Sequence, residues 1–164
     1  RIDKEEQHIE RIEVESIDRE YMNLTSVFTY LIGNVDYSPV LGRVGEMCCH
    51  NHTLFSNDGE TFWSVPYDFD GTGFVDPPHV ELSPNFKQSS IRQRIYRGRC
   101  HNQELVPATL QTFKDKRAEI EELLEGQAEL SNGKRKQLMR YIGRFFKQLE
   151  DEDKLIEDFA KACI

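Results

Sequence analysis

The chain has 164 residues, with 21 Lys+Arg against 29 Asp+Glu and a net charge of −8. That length suits one domain able to bury a core, and the acidic balance excludes a nucleic-acid groove or a polybasic membrane patch as the main function, since both need a basic surface. No apolar run nears the roughly 20 residues of a membrane helix, so no membrane span is expected, while 10% aromatic residues exceed what a disordered chain carries.

Residues 1–17 are charged, with Ile2, Ile9, Ile12 and Val14 as scattered apolar points. They read as a partly helical lead-in. No secretory signal pattern opens the chain, which starts at Arg1 rather than Met, so upstream sequence is expected. Tyr21, Leu24, Val27, Phe28 and Leu31 then repeat at three and four residues, the mark of one buried helical face. Asp18 suits the N-cap, and Gly33 with Asn34 the stop. Residues 34–50 hold Pro39, Gly42 and Gly45 and read as a long loop, a length that is commonly functional.

A hairpin follows. His52–Phe55 and Glu60–Val65 are rich in β-branched and aromatic residues, and Ser56-Asn57-Asp58-Gly59 between them is a strong turn signal. Pro66 ends the second strand. Residues 74–106 carry three of the six prolines and predict irregular structure with short helices. Pro107 suits a first helical turn, and Leu110, Phe113, Ile120 and Leu124 predict one helix to about Glu125. Leu138, Ile142, Phe145 and Leu149 mark a second helix; Leu155, Ile156, Phe159 and Cys163 mark a third. The fold class is therefore α+β and mainly helical, a single domain over 1–164 with a central β-hairpin.

The cysteines are Cys48, Cys49, Cys100 and Cys163. None forms a C-x-x-C pair, which excludes a zinc ribbon or a thioredoxin motif. Cys48, Cys49, His50 and His52 cluster, but adjacent residues rarely share one tetrahedral metal. Buried thiols near a strand start are expected there instead. Cys100 and Cys163 pair if the C-terminal helix packs back, which spacing alone leaves open.

A hairpin brings its two outer ends together. Asp36 and Asn51 on one side then approach Asp68 and Asp70 on the other. Three carboxylates and a carboxamide in one place imply a cation or mutual repulsion. The run of a helix, a loop with Asp36 and Asn51, a hairpin, and the turn Tyr67-Asp68-Phe69-Asp70 resembles the catalytic part of a protein-kinase C-lobe. The Asp-Phe-Asp form and the wording YLIGNVDYS, HN and VPYDFDGTGFV are similar to the spore-coat protein H family of atypical kinases and a bacterial group related to it. The resemblance is specific over about residues 18–76.

The resemblance implies roles. Asp36 is the catalytic residue that orients or deprotonates the attacking hydroxyl. Asn51 and Asp68 hold Mg²⁺, or Mn²⁺, on the phosphates of ATP, and Asp70 is a further metal or water ligand. Protein kinases place four residues between the Asp and the Asn; here fourteen intervene, so a glycine-containing insertion must loop out. No His-Arg precedes Asp36, and no glycine-rich loop or strand lysine stands upstream. The implied picture is a C-lobe whose N-terminal lobe lies in cis in a longer protein, which transfers phosphate from Mg-ATP to an acceptor the sequence does not name. Residues 1–164 alone are then expected to be inactive.

Two alternatives stay open. One is a non-catalytic interaction module on the same fold. The other is a nonstandard Ca²⁺-binding domain, since residues 68–76 match an EF-hand loop at Asp68, Asp70, Thr72, Gly73 and Asp76. His79 stands where that loop needs Glu, and Pro77-Pro78 occupy its exit. Arg92, Arg94, Arg97 and Arg99 read as a solvated, salt-bridging surface.

Overall fold

The computed structural model describes residues 5–7 and 9–164. Among these residues lie three strands and five α-helices: β1 (Glu5–Gln7), α1 (Arg19–Ile32), β2 (His52–Ser56), β3 (Trp63–Pro66), α2 (Val106–Asp115), α3 (Arg117–Glu125), α4 (Asn132–Gln148) and α5 (Glu152–Ala162). No helix among them is long and apolar enough to cross a membrane. The α+β class is as the sequence indicates.

Helix α1 starts and stops where its ends predict. The Asp18 carboxylate accepts the Tyr21 N–H at 2.8 Å, and Gly33 ends the helix at φ 67°. That left-handed backbone is open to glycine without a Cβ clash. The inner face buries Met22, Val27, Tyr30, Leu31 and Ile32.

The antiparallel sheet has the order β1-β2-β3. Pairing of β2 with β3 runs from His52 opposite Pro66 to Phe55 opposite Trp63. His52, Leu54 and Ser56 point inward along β2, the period of two expected of a half-buried strand. Within the turn, the Asp58 carboxylate accepts N–H bonds from Thr61 and Glu60 at 2.8 and 2.9 Å, which pull its pKa down.

Three local expectations need correction. Among the described residues the lead-in is helical only as a single 3-10 turn at Val14–Ser16, while Glu5–Gln7 pairs with the open edge of β2. The second hairpin strand begins at Trp63 rather than Glu60, because Phe62 bridges to Ile17 instead. The helix expected from 107 to 125 is two, broken at Lys116 (φ −88°, ψ 1°). No glycine or proline lies at the break. It lets α2 bury Val106, Leu110 and Phe113 while α3 lies shallower, with no fully buried residue.

Two cores result. The larger joins α1, α2, α4 and α5 around Phe145, Phe146 and Phe159, with Tyr96 stacked on Phe159 at 3.7 Å. The smaller lies under the sheet and holds Ile12, Ile17, Met22, Leu54 and Phe62. A disulfide joins Cys100 to Cys163, so the last helix does pack back. Cys48 and Cys49, expected as thiols, are disulfide-bonded to each other.

Candidate functional site

The polar loops meet at the open end of the hairpin. Residues 34–50 leave α1 and return to β2, and Ser38 N–H to His50 O (2.9 Å) and His50 N–H to Leu41 O (3.0 Å) fold them back on themselves. That fold closes the fourteen-residue gap. Asn51 Nδ2 donates to the Asp36 carbonyl at 2.6 Å and lies 3.4 Å from its carboxylate. The insertion is thus a closed loop, and it brings Asp36 and Asn51 into contact.

The same loop supplies groups that sequence reasoning missed. His50 Nε2 lies 2.8 Å from Asp36 Oδ1, and Arg43 reaches Oδ2 at 3.6 Å. Arg43 is also 3.2 Å from His50 Nε2. A ring nitrogen that donates to a carboxylate cannot accept from a guanidinium, so the carboxylate is the shared acceptor of both. Asp36 is 62% exposed and His50 only 16%, so the imidazole backs a carboxylate that faces solvent. The Asp36 N–H is fixed by Asn34 Oδ1 at 3.0 Å. Only the tertiary fold could pair Asp36 with residues seven and fourteen positions away, because no regular element spans them.

The second loop joins the first at two points. Tyr67 N–H donates to the Asn51 carbonyl at 2.9 Å, which seats Asp68 beside the Asn51 turn. Further on, Gly73 N–H bonds Gly33 O at 3.1 Å and Phe74 N–H bonds Ile32 O at 2.9 Å. A Cβ on Gly73 would stand 2.4 Å from the Ile91 carbonyl, so only glycine permits this approach. Asn51 (φ 56°) and Asp68 (φ 58°) both hold left-handed backbone. That region costs L residues about 1–2 kcal/mol and is visited mainly by Gly, Asn and Asp. Asn51 and Asp68 are thus of the residue types that adopt this backbone at least cost.

Asp70 lies in the exposed turn, its N–H 3.4 Å from Asp68 Oδ1. Asp76 is drawn elsewhere: its carboxylate takes Arg92 at 2.8 Å and Gln137 Nε2 at 3.2 Å. Thr72 is buried, and its hydroxyl accepts the Val75 N–H at 3.3 Å. Two positions of the EF-hand-like loop are therefore engaged within the protein.

Among the described residues, no group of three or more His, Cys, Asp or Glu converges as a metal cluster. The donors at the hairpin end are hard oxygens. Asn51 uses its Nδ2 on Asp36, which leaves Oδ1 for a cation, and Asp68 follows Tyr67, whose N–H meets the Asn51 carbonyl. Two such donors fit an ion that keeps waters and completes its shell on phosphate oxygens, the habit of Mg²⁺.

Behind the site, His52 is stacked on Tyr37 at 5.3 Å, and its Nδ1 meets the Ser64 carbonyl at 3.1 Å and hydroxyl at 3.0 Å. Desolvation, against the Ser64 bond, pushes its pKa down to about 4. The ring is a neutral packing group at physiological pH. A cavity of about 780 Å³ against α1, α2 and α3 is lined by Leu24, Phe28, Phe69 and Leu123, so the ring between Asp68 and Asp70 reaches its edge. Its lining is mainly apolar.

Arg92 pairs with Asp76, as a salt-bridging arginine should, but Arg94 is not solvated. Arg94 donates from Nε to Leu31 O (3.0 Å) and from a terminal nitrogen to Tyr141 O (2.7 Å), with its guanidinium 4.0 Å over the Tyr141 ring. Burial, the largest cause, lowers its pKa. These are half-buried caps on backbone carbonyls.

Comparison of the chain with family models, with curated proteins and with solved structures finds no match.

Proposed function

We propose that this domain is the metal-side half of a phosphoryl-transfer site on a kinase-like C-lobe, acting on ATP and a hydroxyl acceptor. The observation that carries the reading is the convergence of Asp36, Asn51 and the Asp68 turn at one end of the hairpin, with the last two on left-handed backbone. Phosphoryl transfer asks chiefly for positioning and for neutralisation of charge, so few side chains suffice.

In this reading Asn51 and Asp68 hold Mg²⁺, with Asp70 as a further ligand directly or through water. The ion, when bound, supplies charge neutralisation on the transferred phosphate. Asp36 receives the acceptor hydroxyl and takes its proton. His50 and Arg43 hold the Asp36 carboxylate in place meanwhile. A glycine-rich loop and a strand lysine are not among the 164 residues, so the reading draws them from sequence outside.

Calorimetric titration of the 164-residue chain with Mg²⁺ and Ca²⁺, each with and without ATP, makes the first test. Weak Mg²⁺ binding that tightens with ATP supports the proposal. Tight Ca²⁺ binding without nucleotide, lost in Asp70→Ala or Asp76→Ala, would replace it with the calcium reading. The longer protein with radiolabelled ATP makes the second. Asp68→Ala should abolish transfer, while Asp36→Ala should slow it about 10²–10⁴-fold and leave nucleotide binding largely intact. Absence of both transfer and nucleotide binding would return the domain to a non-catalytic module.

A further inference from the structure

Residues 94–99 form no regular secondary structure, so side chains must fix their path. Arg97 does so at one place of special interest. A single terminal nitrogen donates to the Val35 carbonyl and to the Tyr37 carbonyl, each at 2.8 Å. Those two carbonyls bracket Asp36. The guanidinium plane is itself held, 4.6 Å from the Tyr37 ring and 4.9 Å from the Phe86 ring. Among the described residues Arg97 forms no ion pair with a carboxylate. Its donors at these two carbonyls are directed to backbone.

We infer that Arg97 is the positioning residue for Asp36: it clamps the chain on both sides of that residue and so sets where the carboxylate stands relative to Asn51. The inference rests on the reading of Asp36 as the group that receives the acceptor hydroxyl. The need is physical. Residues 34–38 lie in a loop, and among the described residues the exposed Asp36 carboxylate is met by the exposed Arg43, by the loop-borne His50 and, at 3.4 Å, by Asn51 Nδ2. Side-chain pairs at an exposed carboxylate are weak restraints. Two charge-assisted bonds to neighbouring carbonyls are stronger, and they act on the backbone before the side chain is considered. Lysine can supply the charge, but it lacks the planar face that Tyr37 and Phe86 grip.

Displacement of a reacting group by about 1 Å is enough to slow a reaction about 10²-fold. In the longer protein, Arg97→Met should therefore lower kcat about 100-fold with the KM for ATP unchanged within about twofold, and Arg97→Lys should lie between, about tenfold down. Arg94→Met is the comparison. It loosens the joint between Leu31 and Tyr141 without touching either carbonyl beside Asp36, and kcat should hold within about threefold. Hydrogen exchange reads the same clamp without turnover. The amides of Asp36 and Ser38, bonded to Asn34 Oδ1 and to the His50 carbonyl, should exchange at least about tenfold faster in Arg97→Met and as wild type in Arg94→Met. Uniformly faster exchange across the whole chain, or unchanged exchange at both amides, would overturn the inference. If no variant and no wild-type protein transfers phosphate, the functional reading fails, and the exchange pattern alone then decides whether Arg97 sets the Asp36 loop.

Discussion

Among the described residues, fourteen buried side chains from α1, α2, α4, α5 and their connections form the helical core, against seven beneath the sheet. The helical half is held by area: Phe145, Leu110 and Val106 are fully buried, and aromatic rings meet edge to face around Tyr30 and Phe145. On the hairpin side the candidate site is held by points. Arg97 grips two carbonyls, Asn51 grips a third, and a disulfide ties Cys48 to Cys49 beside His50. Apolar packing is non-directional and tolerates small shifts, whereas a hydrogen bond fails within a fraction of an ångström. A protein that must place carboxylates accurately gains from putting them where directional contacts dominate.

Truncation in the helical core should break that half without a special effect on the site. Phe145→Ala should cost about 3–5 kcal/mol, the range for a fully buried aromatic, read as a lowered urea midpoint with amide exchange at Asp36 and Ser38 unchanged while the chain is folded. An equal loss of stability with selective loosening of residues 34–38 would erase the distinction.

The Cys100–Cys163 disulfide closes a stretch with sequence separation 63 and ties α5 to the segment before α2. Chain-entropy arguments put its contribution at about 4 kcal/mol. Cys100→Ser with Cys163→Ser should lower stability by about that amount, measured in urea without reductant. A loss under about 1 kcal/mol would mean that packing around Phe159 alone seats α5.

Acid should act on the hairpin half through His52. Its folded pKa of about 4 lies below the ordinary 6.5, so the unfolded chain takes up the proton first. Stability from this group is complete above about pH 6.5 and falls as pH drops towards about 4, by about 3 kcal/mol in all. His52→Asn, which keeps a donor near the Ser64 carbonyl, should flatten that part of the profile. Parallel urea midpoints of variant and wild type between pH 7 and pH 4.5 would contradict the assignment.

The smallest effect tests a shared element. Asp18→Ala removes the cap of α1, which serves both halves, and should cost about 1 kcal/mol. Thermal unfolding would show it as a small shift.

The sequence determined much of the helical half. Apolar residues at three- and four-residue spacing marked α1, α4 and α5, and Asp18 and Gly33 marked the ends of α1, because helix periodicity and capping are local properties. The hairpin was legible from its turn residues and from the β-branched and aromatic residues on either side of them, for the same reason. The residue types of the candidate site, Asp36, Asn51, Asp68 and Asp70, could be named from their position at the hairpin ends. What holds them could not. The pairing of β1 with β2, the break at Lys116, and the engagement of Asp36 by His50 and Arg43 join residues with no periodic relation. The arginines show the limit most plainly. Charge in a sequence suggests a solvated surface, but Arg94 and Arg97 spend their donors on backbone carbonyls that every residue possesses and no sequence pattern marks. Which carbonyls need a donor is decided only when loops lie buried against helices, because only there has water been withdrawn.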